Sequence, residues 1–206
     1  MDDTRDQDRA LALHNQGKSP QPHILHSDQH PRERLSKANK PTSTARKDCP
    51  GPSRPPLVWS STLAQAALVY AQQLSRTHAL QHDPSLPSTQ GENITWCSSS
   101  SSSSLTLSTA TAAWIAEKKF YDGEAMSPEV LRRHAGHYTQ VVWPATTKLG
   151  MAKVRGPRGK YVVARYEPAG NVLGQSAWGG GQVRVLPDAE GEGQVIRGIL
   201  RDPRGF

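Results

Sequence analysis

The spacing of apolar residues is most regular in the middle of the chain. Five apolar residues of "WSSTLAQAALVYAQQLSRTH" recur at helical intervals: Leu63, Ala67, Tyr70, Ala71 and Leu74. This period predicts an amphipathic helix, for which Ser60 or Ser61 is a suitable N-cap. A similar stripe in "LSTATAAWIAEKKFYD" predicts a second helix, capped by Ser108 or Thr109.

The remaining pattern predicts a β-hairpin and loops. Two β-rich runs in "KLGMAKVRGPRGKYVVARYE" flank Gly156, Pro157 and Gly159, which supply the turn. Prolines and a glycine interrupt "ALQHDPSLPSTQGENITW", which predicts a loop. The serine run 98–104 predicts a flexible loop without chemistry, and "GHYTQVVW" (136–143) is too short to classify. Helices with a small antiparallel sheet indicate an α+β domain, with layers stacked as an α/β/α sandwich.

Composition divides the chain into three regions. Residues 1–55 are rich in charge, Pro, Gln and His and are expected to be mostly disordered, because they cannot bury enough apolar surface to offset the entropy of ordering. Residues 56–187 carry nearly all the aromatic and β-branched residues and are expected to form the domain. Residues 188–206 are Gly-rich and charged, which predicts a flexible tail.

Charge and targeting signals narrow the partners and the compartment. The net charge of +7 and the pI near 9.6 favour anionic partners, but the scattered basic residues lack the interleaved aromatics of a nucleic-acid surface. No stretch approaches the ~20 apolar residues of a membrane-spanning helix. "MDDTRDQDRA" lacks the apolar core of a secretory signal, and Asp2 excludes N-myristoylation. Cys49 and Cys97 are too few for a scaffold of several disulfides, so these features predict an intracellular protein.

Two histidines and two glutamates are the candidates for chemistry. Glu117 lies on the apolar stripe of the second predicted helix, where a carboxylate needs a partner. Glu92 stands in "GENI", His82 in "LQHDP", and His137 directly after Gly136. Imidazole and carboxylate are both zinc ligands, but there is no compact HExxH-type spacing. A hydrogen-bond network is an equal alternative, and an acid–base pair lacks an accompanying nucleophile.

Several segments in the same order resemble the CAP superfamily, also called the SCP/TAPS or pathogenesis-related-1 proteins. "GHYTQVVWPAT" (136–146) is similar to the first family signature, and "YVVARYEPAGNV" (161–172) to the second. "GENI" (91–94) and "PPLVWSSTLAQAALVYA" (55–71) are similar to two further family elements. The resemblance covers residues 55–187.

The resemblance implies an α/β/α sandwich with a central cleft. In many members this cleft is lined by two His and two Glu, which correspond here to His82, Glu92, Glu117 and His137, with His78 as the alternative to His82. The tetrad holds Zn²⁺ or another divalent ion in some members and stands empty in others. Sterol or fatty-acid binding recurs in the family, whereas proteolysis has been proposed for only a few members.

Two departures from the family pattern bear on the prediction. Ala164 stands where secreted members usually carry a cysteine, so the chain is more similar to the low-cysteine, Golgi-associated pathogenesis-related type. The family's first-helix element ends here at "LALHN", and its continuation begins only at Thr44. We therefore expect an insertion at about residues 16–43, either a true loop or a retained intron.

These observations predict a non-enzymatic CAP domain that binds a sterol, another lipid or an anionic membrane surface, with a His/Glu cleft for a divalent metal. A metal-dependent hydrolase or protease that uses the same tetrad is one alternative, and a purely structural interaction module is another. The expected location is intracellular for the sequence as written. It is extracellular, as for most of the family, if the gene model is incomplete. The sequence does not determine the oligomeric state.

Overall fold

The computed structural model describes residues 3–15, 45–100 and 105–179. The helices are α1 (Asp3–Asn15), α2 (Ser61–Thr77), α3 (Leu107–Ala116), α4 (Pro128–Arg132) and α5 (Gly136–Val141). A 3-10 turn, Glu117–Phe120, follows α3 directly. The strands are β1 (Val58–Trp59), β2 (Gly91–Ser98), β3 (Lys148–Gly156) and β4 (Gly159–Glu167).

The sheet is built around the predicted hairpin, which is confirmed. β3 and β4 pair antiparallel from Lys148↔Glu167 to Gly156↔Gly159. β2 pairs antiparallel with β4 over its whole length, although its sequence was expected to be part of a loop. β1 joins the other side of β3 in parallel, so the order is β1-β3-β4-β2 and the sheet is mixed. The α+β class is confirmed, and β2 lies at one edge of the sheet.

Both helices that the apolar spacing predicts are present, with one difference in capping. Ser60 accepts a hydrogen bond from the Leu63 N–H and caps α2, and all five residues of the predicted α2 stripe are buried. α3 is capped by Thr106, not by Ser108 or Thr109. Thr106 and Thr109 bond reciprocally to each other's backbone N–H, a capping box that satisfies two otherwise unpaired donors.

Two apolar cores lie on opposite faces of the sheet, as successive side chains of a strand point to opposite sides. One face packs on α2 through a cluster that includes Tyr70, Leu74, Ile94 and Val163. The other face packs on α1, α3 and α5 through a larger cluster that includes Ala10, Trp114, Tyr138, Met151 and Tyr166. This arrangement gives the expected α/β/α layers.

The amino-terminal region contains two packed segments, at residues 3–15 and 45–55. The expectation that residues 1–55 are mostly disordered stays a prediction, because the residues between these segments lie outside the described part of the chain. Ala10, Leu13 and His14 of α1 are buried, because the helix contributes an apolar face to the larger core. Arg46 and Arg54 are also buried and donate to backbone carbonyls at the end of α5 and in the turn after it. The proposed insertion at 16–43 and the tail at 188–206 lie outside the described residues.

Among the helices of the described residues, none has the length and apolar character that a membrane crossing requires.

Candidate functional site

Glu117 and His137 form the first half of the candidate site. The Glu117 carboxylate is placed where α3 gives way to the 3-10 turn. Its Oε2 atom accepts the backbone N–H groups of His137 (3.1 Å) and Tyr138 (3.4 Å), and its Oε1 atom lies 2.7 Å from His137 Nδ1. Because Ala135 provides no side-chain cap for α5, Glu117 supplies the missing acceptor from another element. The partner that a carboxylate on the apolar stripe requires is therefore the first turn of α5.

These contacts fix which nitrogen of the His137 ring carries the proton. A carboxylate oxygen has only lone pairs to offer, so Nδ1–H is the donor to Glu117. Nε2 is buried and has no hydrogen-bond partner within the described part of the chain. The ring stacks against Trp114, with centroids 5.9 Å apart and planes 26° apart. The structure thus fixes the orientation of this imidazole and leaves the Nε2 lone pair without a hydrogen-bond partner among the described residues.

His82 and Glu92 form the second half. His82 Nδ1 lies 2.7 Å from Glu92 Oε1, and the Asp83 N–H donates to the same oxygen over 3.1 Å. The Glu92 side chain is fully buried, and Arg165 Nη2 lies 3.1 Å from its other oxygen. His82, rather than the alternative His78, is therefore the histidine beside Glu92. His78 instead ends α2 with a left-handed backbone, at a φ of 56°.

The structure arranges the four predicted residues as two separate His–Glu pairs. Asn93 follows Glu92 in β2, and its side chain donates to the backbone carbonyl of His137 over 3.1 Å, which links the two pairs. Within residues 3–15, 45–100 and 105–179, no three His, Cys, Asp or Glu side chains form a group that could hold a metal ion. The four-residue ligand set remains a prediction.

Sequence reasoning missed a buried chain of polar groups behind the site. Asn93 also donates to the Tyr166 hydroxyl over 3.2 Å, and that oxygen lies 2.8 Å from His14 Nε2. Since His14 Nδ1 lies 3.0 Å from the Ala10 carbonyl oxygen, Nδ1 is the donor there and Nε2 accepts from Tyr166. Burial lowers the pKa of His14 to about 4 and raises that of Tyr166 well above its usual value. One signal was available, since "LALHN" places His14 beside apolar residues on a helix.

Close packing around the first signature segment accounts for the glycine at position 91 and the asparagine at position 171. A Cβ on Gly91 would lie 2.0 Å from Gln140 Oε1, the atom that accepts the Gly170 N–H. Asn171 adopts a φ of 57° and accepts a hydrogen bond from the Thr139 hydroxyl over 2.7 Å. Asparagine tolerates this left-handed conformation better than most residues. "GENI", "GHYTQVVW" and "PAGNV" therefore meet in space and position the site.

A cavity of about 230 Å³ lies beside His137. Its apolar walls come from the edge strand β2 and from α3 with the 3-10 turn: Ile94, Ala113, Trp114, Ala116 and Phe120. Its polar groups are Thr95, Glu117, Lys119 and His137. The cavity thus combines an apolar surface with a cation, a carboxylate and an imidazole.

Comparison with known proteins defines the class. The sequence pattern of the CAP family, described as the cysteine-rich secretory protein family, matches residues 32–166. The chain belongs to this family, as the resemblance predicted.

Relatives include both plant and human proteins. The chain is 38% identical over 125 residues to the pathogenesis-related protein PRMS of Zea mays, which covers 60% of this chain and 71% of that protein. It is 33% identical over 135 residues to the Golgi-associated plant pathogenesis-related protein 1 of Homo sapiens, which covers 65% of this chain and 81% of the human protein.

Solved structures share the fold. The crystal structure of NaASP2 with Zn²⁺ superimposes with a TM-score of 0.54 at 23% identity, over 86% of this chain and 83% of that one. Na-ASP-1 superimposes with a TM-score of 0.59 at 21% identity, over 86% of this chain and 42% of that one. At these identities the likeness establishes the fold alone.

Proposed function

We propose that this CAP domain binds an amphipathic lipid, such as a sterol or a fatty acid, in the cavity beside His137. The observation that carries the proposal is the composition of the cavity walls. Ile94, Trp114 and Phe120 provide apolar surface, while Glu117, Lys119 and His137 provide polar groups. Ligand sites typically combine a mostly apolar lining with a few placed polar groups, which orient the ligand.

The cavity volume limits how the ligand binds. Sites for small molecules usually measure ~300–1,000 Å³, and the cavity beside His137 measures about 230 Å³. It therefore accommodates part of a lipid, such as the end of an acyl chain or one edge of a sterol, while the rest extends into the open mouth. This favours a ligand that is still partly embedded in a membrane or micelle over one that is fully enclosed.

Charge near the cavity favours an anionic lipid surface. Lys118 and Lys119 are exposed on the 3-10 turn, and Lys119 Nζ lies 4.8 Å above the ring centre of Phe120. A cation beside an aromatic ring suits the boundary between headgroups and acyl chains. The net charge of +7 adds long-range attraction to such a surface.

We also propose a conditional Zn²⁺ site held by the two imidazoles of the His–Glu pairs. Nε2 of His137 is a buried lone-pair donor without a hydrogen-bond partner in the described residues, and His82 binds its carboxylate through Nδ1 in the same way. A carboxylate that accepts Nδ1–H orients a metal-binding histidine, so Glu92 and Glu117 serve this role better than direct ligation. Two imidazoles are fewer ligands than a structural zinc site uses, so the ion would be exchangeable. When bound, it supplies a positive charge for a lipid carboxylate.

The hydrolase alternative has no specific observation in its favour. His137 donates to Glu117 through Nδ1, and Nε2 forms no hydrogen bond to a Ser, Thr or Cys side chain among the described residues. A side-chain nucleophile is activated by a base that lies within hydrogen-bond distance of it. The purely structural module differs from the proposed function in one measurable respect, because it predicts that no lipid or metal binds.

We also propose a reducing compartment, at an intracellular membrane surface. Cys49 and Cys97 are both free thiols, and persistent free thiols are typical of reducing compartments. Fractionation of native tissue tests this point. Recovery in the extracellular fraction would contradict it.

Vesicle flotation combined with native mass spectrometry tests the proposed function. We expect the full chain to float with vesicles of phosphatidylserine and sterol but not with pure phosphatidylcholine. Lys119→Gln should weaken flotation, whereas Lys148→Gln, which alters an exposed lysine of β3 outside the cavity lining, should not. Absence of flotation together with purified protein that carries no lipid would overturn the proposal.

A further inference from the structure

Arg165 is a buried cation beside the second His–Glu pair. It lies in β4 directly across from Glu92 in the strand register. The exposed fraction of its side chain is 3%, and that of Glu92 is 0%. Its Nη2 atom lies 2.7 Å from Asp83 Oδ2 and 3.1 Å from Glu92 Oε2. Arg165 therefore contacts both the residue that follows His82 and the carboxylate that binds the His82 ring.

His82 lies in a segment without helix or strand, so side chains must hold it. The Tyr70 hydroxyl donates to the Gln81 carbonyl over 2.9 Å, and the Arg165 guanidinium lies 5.2 Å from the centre of the Tyr70 ring. On the other side, the Asp83 N–H donates to Glu92 Oε1. The residues before and after His82 are thus both fastened to groups that touch Arg165.

We propose that Arg165 is a positioning residue for His82. Burying a carboxylate without a compensating charge is costly, and Arg165 supplies that charge to Glu92. With Glu92 held in place, its Oε1 atom accepts Nδ1–H from His82 over 2.7 Å, which leaves Nε2 as the nitrogen with the lone pair. Loss of the guanidinium releases Glu92 and Asp83, and the His82 ring loses its fixed proton position. This inference rests on the proposed role of His82 as a ligand of the cleft.

The other buried arginines supply a control. Arg54 is 4% exposed, and its guanidinium donates to the carbonyls of Pro50, Pro52, Val142 and Ala177. It is as buried as Arg165 but bonds to neutral carbonyl oxygens, one at the carboxyl end of α5 and three in loops. Arg54→Lys therefore perturbs a buried guanidinium without touching the His82–Glu92 pair.

The test uses the full chain and two measurements on wild type, Arg165→Gln, Arg165→Lys and Arg54→Lys. Nitrogen-15 NMR reports which His82 nitrogen carries the proton, and calorimetry measures affinity for Zn²⁺ alone. In the wild type we expect the Nδ1–H tautomer. Arg165→Gln should yield a tautomer mixture and about 10–100-fold weaker Zn²⁺ binding, the usual effect of losing a group that supports a metal ligand. Arg165→Lys should be intermediate, because one ammonium cannot reach both carboxylates with the geometry of a guanidinium. Arg54→Lys should match the wild type in both measurements.

Two results would overturn the inference. One is an unchanged His82 tautomer in Arg165→Gln, or in Arg165→Lys if the glutamine variant does not fold. The other is an equal change in Arg54→Lys, which would indicate a general loss of stability. If the wild type takes up no Zn²⁺, the proposed metal role fails, and the NMR comparison still decides the role of Arg165.

Discussion

His14 Nε2 lies 2.8 Å from the Tyr166 hydroxyl oxygen, and the two residues are 152 positions apart in the chain. This contact joins α1 to β4. Asn93 extends it to the backbone of His137. The His14 ring also meets Trp114 edge to face at 6.2 Å, and Trp114 stacks on His137. The first helix of the chain thus supports the candidate site through two routes, one polar and one aromatic.

The burial of His14 predicts a pH-dependent loss of stability. Its pKa is about 4 in the folded state against an ordinary value of 6.5. Between these values the unfolded state binds a proton that the folded state does not, so the free energy of unfolding falls as the pH drops from 6.5 towards 4. The contribution of this residue is about 3 kcal/mol, fully present above pH 6.5 and lost at the lower end.

Urea titrations across this pH range measure the effect, and NMR follows the His14 ring directly. His14→Gln should flatten the pH profile of the free energy of unfolding. Titration of the His14 imidazole near its ordinary value in the folded protein would contradict the account.

Because Glu117 caps α5, replacing its carboxylate is expected to lower the free energy of unfolding. Glu117→Gln keeps the size of the side chain but replaces one of its two acceptor oxygens with an NH2 group. The remaining oxygen cannot accept both from His137 Nδ1–H and from the backbone N–H groups of His137 and Tyr138. We expect the free energy of unfolding to fall by about 1–3 kcal/mol, because buried donors lose their partner. Chemical denaturation measures this difference.

Glu129→Gln is the matched control for that substitution. The Glu129 side chain is 64% exposed and pairs with Arg132, whose side chain is 61% exposed. Exposed ion pairs contribute little, so the control should change stability by less than ~1 kcal/mol. Equal losses in both variants would show that Glu117 does not act as a buried cap.

The sequence pattern predicted the elements whose residues interact mainly with near neighbours in the chain. The helix α2 and its Ser60 cap follow from apolar spacing and a single side-chain bond, and the β3–β4 hairpin follows from its turn. β2 was missed, because prolines and a glycine dominate the preceding segment and its pairing with β4 lies some 70 positions away along the chain. Non-local pairing of this kind leaves little trace in a window of neighbouring residues.

In the candidate site, too, features that depend on contacts between distant residues were not predicted. Glu117 was identified because a carboxylate on an apolar stripe needs a partner, whereas the family resemblance placed all four residues together. Neither line of reasoning identified His14 or Arg165, whose partners become neighbours only through packing between distant elements. An arginine inside the apolar run "YVVARYE" does indicate a buried charge partner, but the sequence does not say which one.

The two thiols are expected to differ in reactivity. Burial raises the pKa of the Cys49 thiol, which lies 3.7 Å from the Tyr138 hydroxyl oxygen. Cys97 is only half-buried, in the edge strand β2. Because thiolate is the reactive form, iodoacetamide should label Cys97 first and Cys49 only after unfolding. Peptide mass spectrometry of the native protein distinguishes the sites, and preferential labelling of Cys49 would contradict the structure.

The central claim is that the cavity beside His137 receives the apolar part of a lipid. Its most direct test is a fluorescence titration with cis-parinaric acid on Ala113→Phe, which places a ring in the cavity wall, and on Ala66→Phe, an exposed alanine of α2. We predict that Ala113→Phe weakens binding by about tenfold, equivalent to ~1.4 kcal/mol, while Ala66→Phe stays close to wild type. Equal affinity in all three proteins, or no binding by the wild type, would contradict the claim.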